Sequence, residues 1–505
     1  MHNALDILYW LFVIAGILLV ALIVWLISMG VYDVIQKDHA VRRNFPIIGR
    51  MRYYFERLGE YFRQYFFAND REEQPFNRST RNWVYRTAKN IGGTIGFGST
   101  NDLNEPGTVI FVNAAYPILE EECKPTPPLV IGSDCDFPFI AQRIVNISGM
   151  SYGALSAAAV RALSFGAAES GGWLNTGEGG LSPYHLSGDC DLVFQIGTAK
   201  YGVRDEHGKL SELRLKELAP LIKMFEIKLS QGAKPGRGGV LPACKVTEEI
   251  ARIRGIPVGQ TSCSPNRHPE IKSDDDLLDM IDFIRTTTGR PVGVKAVLGG
   301  HRQIEDLCEA ILRRGKSSAP DFFTLDGGDG GTGAAPQVLA DHVGLPLTES
   351  LPILVDTLIK ADLYDRVRVI ASGKLVTSAK VAWALCVGAH FTVTARGFMF
   401  ALGCIQSQQC HKDTCPTGVT THNPRLQKGL VVEVKSKRVA NYSHWMNVEA
   451  DRIAHSCGLA HAREFNRSNA RIVIASGRSV PLDECYPYPT PGLPASTLRQ
   501  TKASS

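Results

Sequence analysis

Apolar positions are arranged along this chain in three ways, and each predicts a different kind of element. Near the amino terminus the run ILYWLFVIAGILLVALIVWLISMGVY, residues 7–32, carries no charge between Asp6 and Asp33. As a helix those 26 residues extend about 39 Å, enough to cross a hydrocarbon core of about 30 Å with some tilt. The run is apolar on every face, unlike a buried globular helix. A cleaved signal peptide would want a basic leader, a shorter apolar stretch and a small-x-small cleavage site, whereas the leader here is MHNALD. The expectation is a retained single-pass transmembrane helix. Lys37, Arg42, Arg43, Arg50 and Arg52 follow it, so the positive-inside rule places the remaining chain in the cytoplasm.

The second pattern begins at about Arg143, where short apolar runs alternate with amphipathic stretches. The spacing predicts strands over 144–148, 172–176, 225–230, 257–262, 292–297, 321–326, 367–372 and 390–395. Several are apolar throughout, as strands covered on both faces should be. Helical stretches such as DDDLLDMIDFIRT, IEDLCEAILRRG and LPILVDTLIKADL lie between them. Eight such units over about 250 residues predict an α/β fold, a (β/α)₈ TIM barrel. The third pattern, RMRYYFERLGEYFRQYFF over 50–67, interleaves aromatics with arginine. It suits either a helix on the membrane surface or one packed on the catalytic body. The resulting organisation is a transmembrane anchor (1–36), a juxtamembrane and N-terminal elaboration (37–142), the barrel (143–430), a helical segment (431–484) and a Pro-rich tail (485–505).

Composition changes this picture in two respects. Fifty-five Lys and Arg against 50 Asp and Glu leave only +5, which with no ring-stacking module argues against a nucleic-acid partner. Twelve cysteines in 505 residues are too dilute for a disulfide scaffold, and a cytoplasmic body keeps them reduced. Three stand together, Cys404, Cys410 and Cys415, as C-x5-C-x4-C in GCIQSQQCHKDTCPTG. An iron–sulfur cluster, a zinc site completed by His411, or ordinary loop cysteines would each fit that spacing. Glycines cluster after the sixth predicted strand, in DGGDGGTGAAP (326–336). Gly328, Gly330 and Gly333 match G-x-G-x-x-G, yet Pro336 follows at once and the acidic residue about 20 positions on is missing, which excludes a Rossmann reading. A backbone amide nest for a phosphate late in the barrel fits better, with 371–373 and 395–397 completing it.

Together, SGMSYGALS (148–156), NTGEGG (175–180), KLSQGAKPGRGGVLP (228–242), DGGDGGTGAAP and GCIQSQQCHKDTCPTG resemble the FMN-binding synthase domain of glutamate synthases. The resemblance covers about 140–430 and implies an FMN-bearing barrel with a [3Fe–4S] cluster that reduces 2-iminoglutarate, formed from 2-oxoglutarate and ammonia, to L-glutamate. It implies Cys404, Cys410 and Cys415 as cluster ligands. Lys295 would stand at the flavin N1–C2=O edge, Met150 and Ser151 on the turn facing the ring, and Gln195 and Lys200 on cofactor-contacting positions. The phosphate would lie among Gly328, Gly330, Gly331, Thr332, Gly333, Ser372, Gly373, Ala395 and Arg396. Lys228 and Lys234 would take the dicarboxylate, and Glu178 would move protons as the amine condenses. The pattern departs from the family at PGRGGVLPA, usually PGEGGQLPG: Arg237 replaces an acid and Val240 a glutamine. SPNRHPEI (264–271) also replaces a family run rich in Pro and His. These departures open a different amine, as in an N-methylglutamate-synthase-like reaction, and a non-catalytic membrane subunit is the third reading. No equivalent of the glutaminase or pyridine-nucleotide domain is found, so ammonia and electrons are expected from solution or from an unidentified donor.

Overall fold

The computed structural model describes residues 2–491, so most of the expected Pro-rich tail lies outside the described residues. The chain divides into two compact units between Thr80 and Arg81.

In the first unit the charge-free run forms one helix, α1 (His2–Ile35). Its stretch Leu5–Ile35 is long and apolar enough to cross a membrane, and its most apolar window is unburied. The chain then turns through a short helix, α2 (Ala40–Asn44), into α3 (Gly49–Phe62), which one π-helical turn, Arg63–Phe67, continues. The Asp33 carboxylate fixes this turn. It is fully buried and accepts from Arg50 Nη2 at 2.7 Å, Arg50 Nε at 2.8 Å and Ile47 N at 3.0 Å. Gly49 is required there, because a Cβ would lie 2.6 Å from Val41 O.

In the second unit eight parallel strands close into a barrel in sequential order. They are β1 (Val145–Ile147), β2 (Leu174–Asn175), β3 (Leu192–Ile196), β4 (Met224–Lys228), β5 (Val292–Ala296), β6 (Phe322–Asp326), β7 (Arg368–Ser372) and β8 (Phe391–Thr394). β8 pairs with β1, from Thr392 against Val145 to Thr394 against Ile147, and closes the ring. Seven of the eight predicted strands fall on these. The eighth, 257–262, is not in the barrel. Its last residue joins a small pair, Val240–Leu241 against Ser262–Cys263, while the true third strand is LVFQI. The polar Gln195 inside that strand disguises it, and Gly259, at φ +67, breaks the extended backbone of 257–262.

The barrel's helices follow from their caps. Ala157–Ser170 starts at Ser156, whose side chain accepts from Ala159 N, and stops at Gly171 in a left-handed conformation. Asp274–Thr288 carries a capping box from Ser273 to Asp276. A hairpin before the barrel, Leu129–Ile131 against Phe139–Ala141, contributes Ile131, Phe139 and Ala141 to a core shared with Trp173, Val193, Phe322 and Phe391. It therefore plugs the barrel, an element that the aperiodic 68–142 segment did not announce. The helix Val432–Ser456 packs along Ala157–Ser170 so closely that a Cβ at Gly166 would meet Val439 Cγ1 at 2.4 Å. The C-terminal segment is not helical throughout. Ala470–Ala475 and Arg478–Pro481 form a hairpin, and the first of these also pairs with Val109–Phe111. The β-branched run Ile472–Ile474 and the Ser-Gly turn after it explain it.

Candidate active site

Lys228, Asp326, Ser372 and Thr394 end β4, β6, β7 and β8, so all four stand at the same rim of the barrel. With Gly149, Gln195, Lys295 and Arg396 they line one cleft. Asp326 organises its floor. Ser372 Oγ donates to Oδ1 at 2.7 Å, Gly232 N donates to Oδ2 at 2.9 Å, and Lys295 Nζ is 4.0 Å from Oδ2. Lys295 is buried among these groups. On the far wall Arg396 Nη2 donates to Asp329 O at 3.2 Å, and burial lowers the Arg396 pKa. Its guanidinium lies over Gly331, where a Cβ would come within 2.8 Å of Nη1. Gly373 has φ +147, a left-handed backbone that favours glycine.

The glycine loop divides. Gly330 and Gly331 line the cleft, but Gly328 lies beneath the loop, its N bonded to Leu345 O at 2.7 Å, and Thr332 and Gly333 are exposed. Ala395 precedes Arg396 on the cleft wall. Met150 is buried with its carbonyl accepting from His185 Nε2 at 2.9 Å, and Ser151 packs against Gly177, leaving Ser148 and Gly149 as the members of that turn that line the cleft. Gln195 reaches it too, with Nε2 donating to Glu226 Oε1 at 2.6 Å. Lys200 does not. Its ammonium pairs with Glu270 at 3.0 Å and lines a separate cavity with Tyr201, Arg204 and Ser262. Sequence reasoning passed over Glu226 altogether. This buried carboxylate also accepts from Asn175 Nδ2 at 2.9 Å and Thr324 Oγ1 at 2.6 Å, and its place inside an apolar strand was the available signal.

Charges gather around Lys228, beside the cleft; Glu178 and Lys234 are not among its lining residues. Lys228 Nζ is 2.9 Å from Glu178 Oε1 and donates to Gln231 Oε1 at 3.0 Å, while Gln231 Nε2 reaches Gly331 O at 3.1 Å. Burial pushes the Glu178 pKa up, but the Lys228 and Lys234 ammoniums outweigh it and hold the carboxyl at about 2. Burial drives Lys234 the other way, to about 8, with Glu178 opposing and Lys228 and Arg237 reinforcing the fall. Glycines make this packing possible: a Cβ at Gly197 or Gly239 would strike the Glu178 side chain at 2.7 or 2.6 Å. Arg237 itself is exposed and Val240 half-buried. Behind Lys228 lies buried His268, whose Nε2 bonds to Lys228 O at 3.1 Å and whose Nδ1 has no hydrogen-bond partner.

The three loop cysteines gather beside this rim. Tyr85 OH donates to Cys404 O at 2.6 Å, Lys245 Nζ to Cys410 O at 3.3 Å and to Ala154 O at 2.6 Å, and Cys415 is buried with Sγ 3.4 Å from Thr417 Oγ1. Burial raises the Cys404 thiol to about 12 and also raises Cys410. Cys415 is lowered: burial pushes it up, but bonds from Thr417 and Thr420 prevail. Gln406, Gln408 and Asp413 all adopt positive φ, a strained course for non-glycine residues. Among the described residues no three His, Cys, Asp or Glu side chains stand at single-ion spacing. Lys245, buried and bridging this loop to the 148–156 turn, was not evident from sequence.

A family model described as "Conserved region in glutamate synthase" matches residues 110–460. The chain belongs to the glutamate synthase family. Family members are oxidoreductases acting on CH–NH2 donors. The glutamate synthase large subunit-like protein YerD of Bacillus subtilis is 40% identical over 490 residues, covering 89% of this chain and 92% of that protein. An archaeal-type glutamate synthase [NADPH] of Thermotoga sp. is 32% identical over 335 residues, 66% of this chain and 62% of that enzyme. This chain thus spans about three fifths of the archaeal-type enzyme. Among solved structures, a flavocytochrome b2 mutant with pyruvate bound is similar at TM-score 0.45 and 14% identity, over 88% of this chain and 92% of that one.

Proposed function

We propose that this protein is an FMN- and iron–sulfur-dependent oxidoreductase that reduces 2-iminoglutarate to L-glutamate, with its barrel tethered to a membrane by α1 and facing the cytoplasm. The observation that carries the reading is a cleft that meets, at Lys228, a cluster of charged side chains. In the cleft Lys295, Arg396, Gly330, Gly331 and Gly373 suit a flavin phosphate and ring, since a Cβ at Gly331 would already crowd Arg396. Bound there, FMN would supply the two electrons for imine reduction. Cys404, Cys410 and Cys415 offer the donor set of a polynuclear cluster, whose irons each take one thiolate and so space the cysteines more widely than a single ion does. A cluster there would relay single electrons.

In the charged cluster Lys228 and Lys234 would each take a carboxylate of the substrate. That binding has a consequence for Glu178. With the lysines neutralised by substrate, the field holding Glu178 near 2 weakens, and burial raises its pKa toward the range useful for proton transfer to the condensing amine. Gln231, bonded to both Lys228 and Gly331, would keep cleft and cluster in register. Val240 supports a second reading: a half-buried apolar residue, where the family carries glutamine, suits an alkylated amine such as methylamine.

The test is a purified full-length protein assayed for flavin absorbance, iron and acid-labile sulfide, then photoreduced and mixed with 2-oxoglutarate and either ammonia or methylamine. Flavin reoxidation with ammonia supports the first reading, and reoxidation with methylamine alone supports the second. A protein with neither flavin nor labile sulfide refutes both.

A further inference from the structure

The feature that the proposed chemistry leaves unused is the aromatic face of the first unit. We propose that residues 49–67, α3 and the turn continuing it, form an interfacial helix that docks on anionic lipid headgroups. The inference rests on the reading of α1 as a membrane span. Met51, Phe55, Leu58 and Phe62 follow one another at steps of four, three and four, so they share one helical face. That face is open: Met51 is 54% exposed, Phe55 56% and Phe62 43%, and Phe66 beyond them 75%. Tyr54, Tyr61 and Tyr65 flank it, also exposed, with hydroxyls suited to the headgroup level. A contiguous aromatic surface of this kind on a soluble helix would be an aggregation hazard, and needs a cover.

Charge selects the cover. Between Lys37 and Phe67 there are seven Lys and Arg against three Asp and Glu. Arg52, Arg57 and Arg63 are exposed on the sides away from the aromatic stripe and make no ion pair among the described residues. A helix with an aromatic face, arginine flanks and low overall hydrophobicity lies in the plane of a bilayer with its apolar face among the upper acyl chains. Negative surface potential attracts its basic residues, so anionic lipid is the favoured surface.

Geometry supplies the level. The buried Asp33 carboxylate, near the end of the span, holds Arg50 and Ile47 N, and the Ile47 side chain lies over Gly30, where a Cβ would stand 3.5 Å from its Cδ1. The start of α3 is therefore tied to the last turn of α1, where the apolar stretch gives way to charge. Leu26, Ile27, Val31 and Val34 of α1 line an apolar hollow with Pro46 and Ile47.

Hydrogen exchange read by mass spectrometry tests this on the full-length protein in nanodiscs of phosphatidylcholine with or without phosphatidylglycerol. Amides over 51–66 are expected to gain severalfold protection in the anionic discs. A triple variant, Arg52→Gln, Arg57→Gln and Arg63→Gln, should lose that gain while α1 stays protected in both discs. Equal exchange over 51–66 in the two discs, unchanged in the triple variant, with α1 still protected, overturns the proposal and points to a protein cover. Free exchange of α1 itself, with release by alkaline carbonate, would instead sink the membrane reading and this proposal with it.

Discussion

Dicarboxylate binding should draw protons from solution, and Lys234 sets how many. In the free protein burial holds its pKa at about 8. A substrate carboxylate beside the ammonium would restore it toward the ordinary lysine value of about 10.4. The free pKa then lies below the bound pKa, so binding takes up protons between the two values and none well below 8. At pH 7 only about a tenth of the free lysine is neutral, so uptake is about 0.1 proton; it rises to about half at pH 8 and about nine tenths at pH 9. Affinity should correspondingly fall about sixfold per unit between pH 8 and 10. Glu178, starting from about 2, adds uptake only on the acid side of this window unless its bound value exceeds 7. The assay is calorimetric titration with 2-oxoglutarate in buffers of differing ionisation heat, whose slope counts protons directly. Lys234→Met should flatten the profile between pH 7 and 9. Uptake independent of pH over that range, or surviving Lys234→Met, would refute the assignment of a carboxylate to this lysine.

Three further outcomes follow from the same rim. Replacing Cys410 with Ser should strip iron and acid-labile sulfide from the purified protein while leaving flavin absorbance, because the cysteine loop and the glycine loop are separate segments. Glu226→Leu strands the Asn175, Gln195 and Thr324 donors in the barrel core at about 1–3 kcal/mol each, so a large drop in thermal midpoint is expected and Glu226→Gln should be milder. Glu178→Gln removes the carboxylate that opposes the fall of the Lys234 pKa, which should move the alkaline limb of the kcat/KM profile to lower pH and lower its plateau by about 10²–10⁴ if Glu178 moves the proton.

Sequence reached the barrel because parallel strands covered on both faces are mostly apolar, and β5, β6 and β7 each carry three apolar residues in five. It misplaced one strand where polarity intruded: LVFQI hides its Gln195, whose amide is neutralised only by Glu226 from the neighbouring strand. That partner is remote in sequence, as are the partners of Lys245, so neither residue could be found from local pattern. Lys228, Lys234 and Glu178 were legible as a charged set, and their spacing in the chain said nothing of the 2.9 Å ion pair that ties two of them. Lys200 illustrates the reverse error. A motif position next to the site can turn its side chain away, here at φ +50 toward Glu270.

A Cβ at Gly232 would lie 1.9 Å from Gly327 O, and Gly232 N bonds Asp326. The lysine-bearing loop after β4 and the glycine loop after β6 therefore share one hinge pin rather than two. Altered substrate preference, arising by change in the 231–242 loop, cannot be selected independently of cofactor grip. A lineage adapting this barrel to a new amine would be expected to change both loops together, and a chimera that exchanges only one should lose flavin before it gains a substrate.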